Sequence, residues 1–292
     1  VIFNSGNVTI EEFESTLPNP NIQFVLNESA SATELLNSGT NQNVGLLINT
    51  SGGTITQGFF DNEIGNSFNI NTDNNGDLSL VNTSDNSDFP GPVMGAARTF
   101  TFWVKPTEAT FQTLMYSGGG SLEGEIFSVQ MQTNRMLRVT DSKGNFVRMQ
   151  DMPLDIGEWN HIAITVPENN SMFSIQMYKN GISSDEYHEG NDVLIKTVSN
   201  ALRFFPNYKG LASDIRYFDY KLCGSEVESL FNDRQTTLSN DDITDGANKL
   251  KVYPTVVSDF VRFSKPINSI QVINLLGKTL VSRKDSNLSE LN

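Results

Sequence analysis

Residues 157–182, GEWNHIAITVPENNSMFSIQMYKNGI, alternate in a way that predicts two long strands joined by a polar loop. In the first run Trp159, His161, Ala163 and Thr165 fall on one side, and Asn160, Ile162, Ile164 and Val166 on the other. That is the period of two imposed by a pleated strand. Both sides carry apolar groups, so this strand is expected at the centre of a sheet. The second run sets Phe173, Ile175 and Met177 against Ser174, Gln176 and Tyr178 and then meets Asn180-Gly181. This pair best tolerates the positive backbone angles of a tight hairpin turn, so a third strand is expected to return after Ile182.

Further runs predict strands at 22–26, 44–48, 100–105, 111–116, 126–132, 136–140, 146–150, 194–198, 202–205 and 210–218. Residues 67–81 read as a hairpin, two alternating halves around Asp73-Asn74-Asn75-Gly76. A single helix is predicted after Gly224, with Ser225 and Glu228 forming a capping box and Val227, Leu230 and Phe231 a short apolar stripe. Pro18-Asn19-Pro20 marks residues 1–21 as a linker or the end of a preceding module. The polar, acidic and aperiodic run 236–248 reads as a second linker. Alternation resumes at 260–263, 270–273 and 278–281, which predicts a small antiparallel set of strands over 249–292 with Gly277 in a turn.

Composition narrows the function classes. With 292 residues, 37% hydrophobic and 10% aromatic, the chain can bury one large β domain plus an appendage. Its 34 acidic and 20 basic residues give a net charge of −14, which repels phosphate backbones and anionic lipid alike, so nucleic acid is not an expected partner. From Lys249 onward seven basic residues outnumber three acidic ones, a local +4 that leaves −18 on the rest. Such a split fits two domains with different partners. Cys223 is the only cysteine, which excludes an intrachain disulfide and a thiolate metal cluster. No apolar run approaches the roughly 20 residues that cross a bilayer, and no amino-terminal signal is evident. Starting at Val1, the chain reads as a mature or excised portion of a longer product.

Three motifs carry a family resemblance. Gly157-x-Trp159-x-His161-Ile162-Ala163 followed by Tyr178-Lys179-Asn180-Gly181 resembles the middle of a laminin-G-like domain of the concanavalin-type jelly roll. TFTFWVKP at 99–106 is similar to the strand that family places before the middle, and ASDIRYF at 212–218 to its closing strand. The resemblance covers residues 21–232. It implies an all-β fold, an antiparallel jelly-roll sandwich over 22–235, acting as a non-catalytic module that binds glycan or a protein surface through its rim loops. The region 249–292 resembles the carboxy-terminal sorting domain of type IX secretion cargo in Bacteroidetes-like bacteria, through Val252-Tyr253-Pro254, Val257-Ser258-Asp259, Val272, Asn274 and Leu276-Gly277-Lys278. That resemblance implies recognition of Tyr253, Pro254, Asp259, Gly277 and Lys278 by the outer-membrane translocon and its cargo-shuttle protein, and delivery outside the cell or to its surface. Thr255-Val256 stand where the pattern has Asn-Pro, and the chain stops at Asn292 before the usual closing strands. The tail is therefore expected to be partial, with an unpaired edge.

Candidate chemistry lies in the loops. Asn71, Asp73, Asn75 and Asp77 present oxygen donors at alternate positions around Gly76, as hard-cation loops do. Asn82 stands where a helical calcium loop needs a bidentate glutamate, which leaves a calcium site completed by distant groups or a plain polar turn. Residues 183–192 hold a dense cluster of oxygen and imidazole groups, in which Asp185, Glu189 and Asp192 are candidate ligands; a solvated acidic loop is the competing reading. Asp73, Asp77 and Asp185 are the calcium candidates, and Gly119, within a glycine triplet, adds a flexible rim loop. Catalysis is disfavoured because no strand carries the Glu-x-Asp-x-x-Glu of laminarinase-like hydrolases, and no Gln-x-His strand accompanies Tyr178-Lys179-Asn180-Gly181 as alginate-lyase-like sandwiches require. With His161 and His188 alone, a nucleophile-base-orienter triad is hard to assemble. A glycan-active lyase or hydrolase, and a passive cargo or spacer domain, stay as alternatives.

Overall fold

The alternating runs close into two antiparallel sheets in the computed structural model. It describes residues 2–4, 7–9, 17–31, 35–73, 75–89, 96–197, 202–241, 252–253, 261–273 and 279–291, with side chains between 17 and 233. In chain order the strands are β1 (Ile2–Asn4), β2 (Asn7–Thr9), β3 (Ile22–Phe24), β4 (Val44–Asn49), β5 (Gly53–Asp61), β6 (Gly65–Thr72), β7 (Asp77–Asn82), β8 (Arg98–Pro106) and β9 (Gln112–Gly118). There follow β10 (Ile126–Met131), β11 (Leu137–Thr140), β12 (Phe146–Met149), β13 (Asn160–Val166), β14 (Gln176–Lys179), β15 (Ile182–Ser183), β16 (Glu186–Glu189), β17 (Arg203–Asn207) and β18 (Lys209–Phe218). Helix α1 (Gly224–Asp241) precedes β19 (Val252–Tyr253), β20 (Val261–Ile273) and β21 (Thr279–Leu291).

The chain divides into two units, Leu17–Leu238 and a second made of Val1–Thr16 with Ser239–Asn292. In the second unit β1 pairs with β2, and β19, β20 and β21 form a three-stranded antiparallel sheet. Tyr253 lies on β19, whereas Pro254, Asp259, Gly277 and Lys278 fall outside the described residues.

The first unit is an all-β antiparallel sandwich. Its first sheet runs β16-β12-β11-β10-β9-β17-β7-β4 and its second β15-β14-β13-β8-β18-β6-β5, with β3 added to β18. The inward positions Phe127, Val129, Leu137, Val139, Val147 and Met149 of the first sheet pack against Phe100, Phe102, Val104, Ile162, Ile164 and Val166 of the second in one buried cluster. Phe102 sits edge-on to Phe204 and Phe205, at ring-centroid distances of 6.2 and 5.9 Å. Every residue of β13 is buried, as its two apolar sides predict, because β14 and β8 flank it. Asn180 and Gly181 take φ of 52° and 80°, the expected tight turn, and β15 returns against β14.

The two faces of the sandwich are not alike. On the second sheet the outer-face residues Ala163, Tyr178 and Phe218 lie beneath Leu222, Val227 and Leu230, and Trp103 stacks on Phe231 at 5.7 Å. Helix α1 thus covers that sheet. The first sheet carries no such cover among the described residues, and Leu47 and Tyr187 on its outer face are 50% and 40% exposed.

Four local expectations are corrected. Residues 67–81 are not a hairpin: β6 pairs with β5 and β18 in the second sheet while β7 pairs with β4 and β17 in the first, so the turn at 73–76 carries the chain between layers. Met172–Ser174 form a 3-10 turn, which shortens the strand expected there to β14. The acidic stretch after Ile182 contains β16, paired with β12 along its whole length. In place of a Ser225–Glu228 capping box, Glu226 Oε2 accepts the Cys223 amide at 2.7 Å, and α1 runs on through Thr236 to Asp241.

Candidate functional site: the uncovered face of the first sheet

Antiparallel pairing throughout the first sheet places the sequence-derived candidates at two ends. Asp77 opens β7 and Asp185 immediately precedes β16, which puts them at one end but on strands six positions apart. At the spacing of paired strands that is roughly 29 Å along the sheet. Asp77 is buried, its carboxylate accepting the Ser79 hydroxyl and lying 3.6 Å from an Arg203 nitrogen. Asp73 accepts the Asn75 amide at 3.0 Å within its own turn. Asp73, Asp77 and Asp185 therefore do not converge on a cation, and among the described residues no group of three His, Cys, Asp or Glu side chains is placed to hold a metal. Among the described residues, the three aspartates do not form a shared calcium site.

Gly119, Glu189 and Asp192 lie at the opposite end. There the loops 119–125, 141–145 and 190–192 are knitted together: Gly124 N–H donates to Asp141, the Ser142 hydroxyl to the Leu122 carbonyl, and Asn191 to both Glu123 and Asn145. Asp141, which the sequence did not single out, organises this rim. Burial acts to raise its pKa, but hydrogen bonds from Asn145, Gly124 and Lys143 outweigh that and hold the carboxyl below its ordinary value. Asp192 accepts the Ser171 hydroxyl and the Phe173 amide, so its oxygens cap the 3-10 turn.

A more continuous feature spans the sheet between these ends. Strand register lines up Glu189, Phe146, Thr140, Ser128, Tyr116, Arg203, Ser79 and Leu47 as one row across all eight strands. A second row holds Tyr187, Arg148, Arg138, Gln130 and Thr113. These are the outward positions, since their neighbours along each strand fill the core. Three cation–π pairs lie on these rows, one of them between the two: Arg148 lies 5.3 Å from the Tyr187 ring centroid, Arg138 5.2 Å from Phe146 in the other row and Arg203 4.9 Å from Tyr116. Arg138 also donates to Gln130 Oε1 at 2.6 Å, and Gln130 to the Ser128 hydroxyl at 3.1 Å. Burial, with Arg148 alongside, pulls the Arg138 guanidinium below its ordinary pKa, and Glu189 acts the other way. At the centre a shallow depression of about 280 Å³ is lined by Phe111, Thr113, Tyr116, Ser128, Gln130, Arg203 and Pro206. Flat rings fixed by guanidinium planes, interspersed with amide and hydroxyl groups, can stack a sugar ring and bond its hydroxyls.

The other face offers less. A depression of similar size beside α1 is lined by Trp103, Trp159, Phe231, Glu63 and Glu158 among others, but both tryptophans are buried. Trp159 Nε1 donates to Asp61, which Lys105 also binds at 3.1 Å, so its polar groups are matched internally. His161, between Trp103 and Phe231, is pushed down to about 3 by burial and the Arg216 guanidinium, and is neutral at ordinary pH.

The family described as the concanavalin A-like lectin/glucanases superfamily matches residues 75–228, just over half the chain. The chain belongs to that superfamily. Among solved structures this superfamily member is similar to domain 4 of AbnA, a GH43 extracellular arabinanase from Geobacillus stearothermophilus solved in complex with arabinotriose. The identity is 20% and the TM-score 0.50, over 73% of this chain and 98% of that one. The receptor binding domain of botulinum neurotoxin D matches at 10% identity and TM-score 0.50 over 74% of this chain and 53% of that one. A botulinum neurotoxin type C structure, from work tying cell entry to two ganglioside molecules, matches at 14% and 0.50 over 74% and 51%. At these identities the likeness is one of fold, and the superfamily member spans about half of each neurotoxin chain. No curated protein sequence matches it.

Proposed function

We propose that the sandwich is a non-catalytic glycan-binding module whose binding surface is the uncovered outer face of the first sheet. The observation that carries this is the ladder of Tyr187, Phe146 and Tyr116, each clamped by an arginine, across a face that no helix covers among the described residues. Neighbours of the same fold support it, since one holds arabinotriose and another is tied to ganglioside recognition. The residues of the two rows include a single carboxylate, Glu189, whereas a glycosidase uses two about 5–10 Å apart.

The test is calorimetric titration with a panel of oligosaccharides beginning with arabinotriose, using the native protein, Tyr116→Ala and Phe146→Ala. Binding by the native protein, weakened at least tenfold by either change (about 1.4 kcal/mol) at unaltered melting temperature, is the expected result. Native affinity that survives both substitutions would place the site elsewhere.

The same proposal takes 249–292 as an export tail handed to the type IX outer-membrane machinery, delivering the module to the cell exterior or surface. Its support is the run of matching residues from Val252 to Lys278 together with the change of charge sign at Lys249.

A further inference from the structure

We propose that Arg138 and Arg148 form an anion clamp on this face, so that the saccharide recognised is an acidic one, bearing carboxylate or sulfate. The inference rests on the face being the glycan-binding surface and adds the chemistry of its ligand.

Arg138 and Arg148 are directly opposed across β11 and β12. Like charges in that position repel, and nothing in the core requires either side chain, since both point outward from strands whose Leu137, Val139, Val147 and Met149 supply the packing. A carboxylate set opposite one of them would have removed the repulsion; the register instead supplies one acid, Glu189, at the sheet edge beyond Phe146. Each guanidinium lies against a ring, Phe146 or Tyr187, which fixes its plane and leaves the N–H edge as the reactive direction. Arg138 spends one terminal nitrogen on Gln130. The Nε atoms of both arginines are shielded from solvent and have no hydrogen-bond partner among the described residues.

Guanidinium forks on two directly opposed residues match the paired oxygens of a carboxylate or sulfate, with the terminal nitrogens, rather than the shielded Nε atoms, the donors such a ligand would meet. The molecule as a whole carries −14, so indiscriminate attraction of polyanions is not available to it. An acidic sugar reaching this face is held by local geometry, its ring on Tyr116 or Phe146 and its charge on the clamp.

The experiment is affinity electrophoresis of the full chain through gels containing polygalacturonate, alginate, hyaluronan or dextran sulfate, each beside its carboxyl-reduced or unsulfated counterpart. Native protein is expected to bind at least one acidic polymer tenfold or more tightly than the matching neutral polymer, and the identity of that polymer distinguishes carboxylate from sulfate. The double variant Arg138→Gln, Arg148→Gln should lose that preference, binding each acidic polymer no more tightly than its neutral counterpart. Arg148→Lys, which keeps the charge but not the fork, should lose most of the preference too. Equal binding to acidic and neutral members overturns the clamp and leaves the glycan-binding face standing. Absence of binding to any polymer overturns both, and an acid preference that survives the double variant overturns the assignment to these two residues.

Discussion

The buried imidazole of His161 makes a quantitative prediction about acid stability. Held neutral between Trp103 and Phe231, it titrates at about 3 in the fold against 6.5 for the free side chain, and its Nδ1 has no partner. The unfolded chain therefore binds a proton that the folded one refuses. This contribution is fully present above the unfolded value and is lost as pH falls through 6.5 towards 3. With those two values, moving from about pH 7.5 to pH 5 removes about 2 kcal/mol, a sizeable share of a typical domain's stability. His161→Phe keeps a ring between the same two aromatic partners, removes the titration and removes the unpaired nitrogen. Urea unfolding of both proteins at the two pH values gives four stabilities, and the native-minus-variant difference should shift by that amount between them. Because other groups titrate identically in both proteins, the double difference isolates this one. Parallel stability curves for the two proteins over this range would show that the imidazole is not held neutral by its surroundings.

Two further predictions test other parts of the molecule. Glu186, whose Oε1 accepts the Met177 amide and the Gln176 side chain across the sheets, is pushed up to about 7 by burial, with Asp185 and Asp151 adding repulsion. A carboxyl raised in this way stabilises when protonated, so its contribution declines as pH rises from 4.5 through about 7. Glu186→Gln, which keeps the acceptor, should flatten that part of the melting-temperature profile, and an unchanged profile refutes the assignment. Deleting 249–292 should leave the protein in the periplasm of a type IX-secreting host, and normal export of the truncated chain would remove the sorting role.

How far the fold was legible depended on whether burial or pairing dictated each strand. Strand β13 stood out because both its sides carry apolar groups, as a doubly covered strand does, and β8 through the alternating run TFTFWVKP. Strand β5 was missed: as the edge of the second sheet it is half-buried or exposed throughout, so no alternation betrays it. Strand β16, Glu-Tyr-His-Glu, reads as a solvated loop by composition, and its extended form comes from pairing with β12. The turn at 73–76 shows the limit of turn chemistry. Asp-Asn-Asn-Gly signals a reversal, yet a reversal within one sheet and a step between two sheets use the same backbone angles. Only the partners of β6 and β7, far away in sequence, decide between them.

The candidate face lay in the sequence too, but in positions that seemed to need no explanation. In β10, β11 and β12 every second residue fills the core, and the intervening ones were free to be serine, threonine or lysine. Ser128 and Thr140 fit that description, but Gln130, Arg138, Phe146 and Arg148 are costly choices for a surface that only has to stay wet. The second sheet's corresponding positions, Ala163, Thr165 and Trp103, are small or apolar because α1 and neighbouring segments cover them. Comparing the off-core positions of the two sheets thus tells which face the helix takes and which it leaves uncovered. What the comparison could not supply was the joining of Tyr116 with Arg203 and of Arg148 with Tyr187, pairs brought together only by the strand order β16-β12-β11-β10-β9-β17. A row built one residue per strand has no motif, and its signature appears only once the register is known.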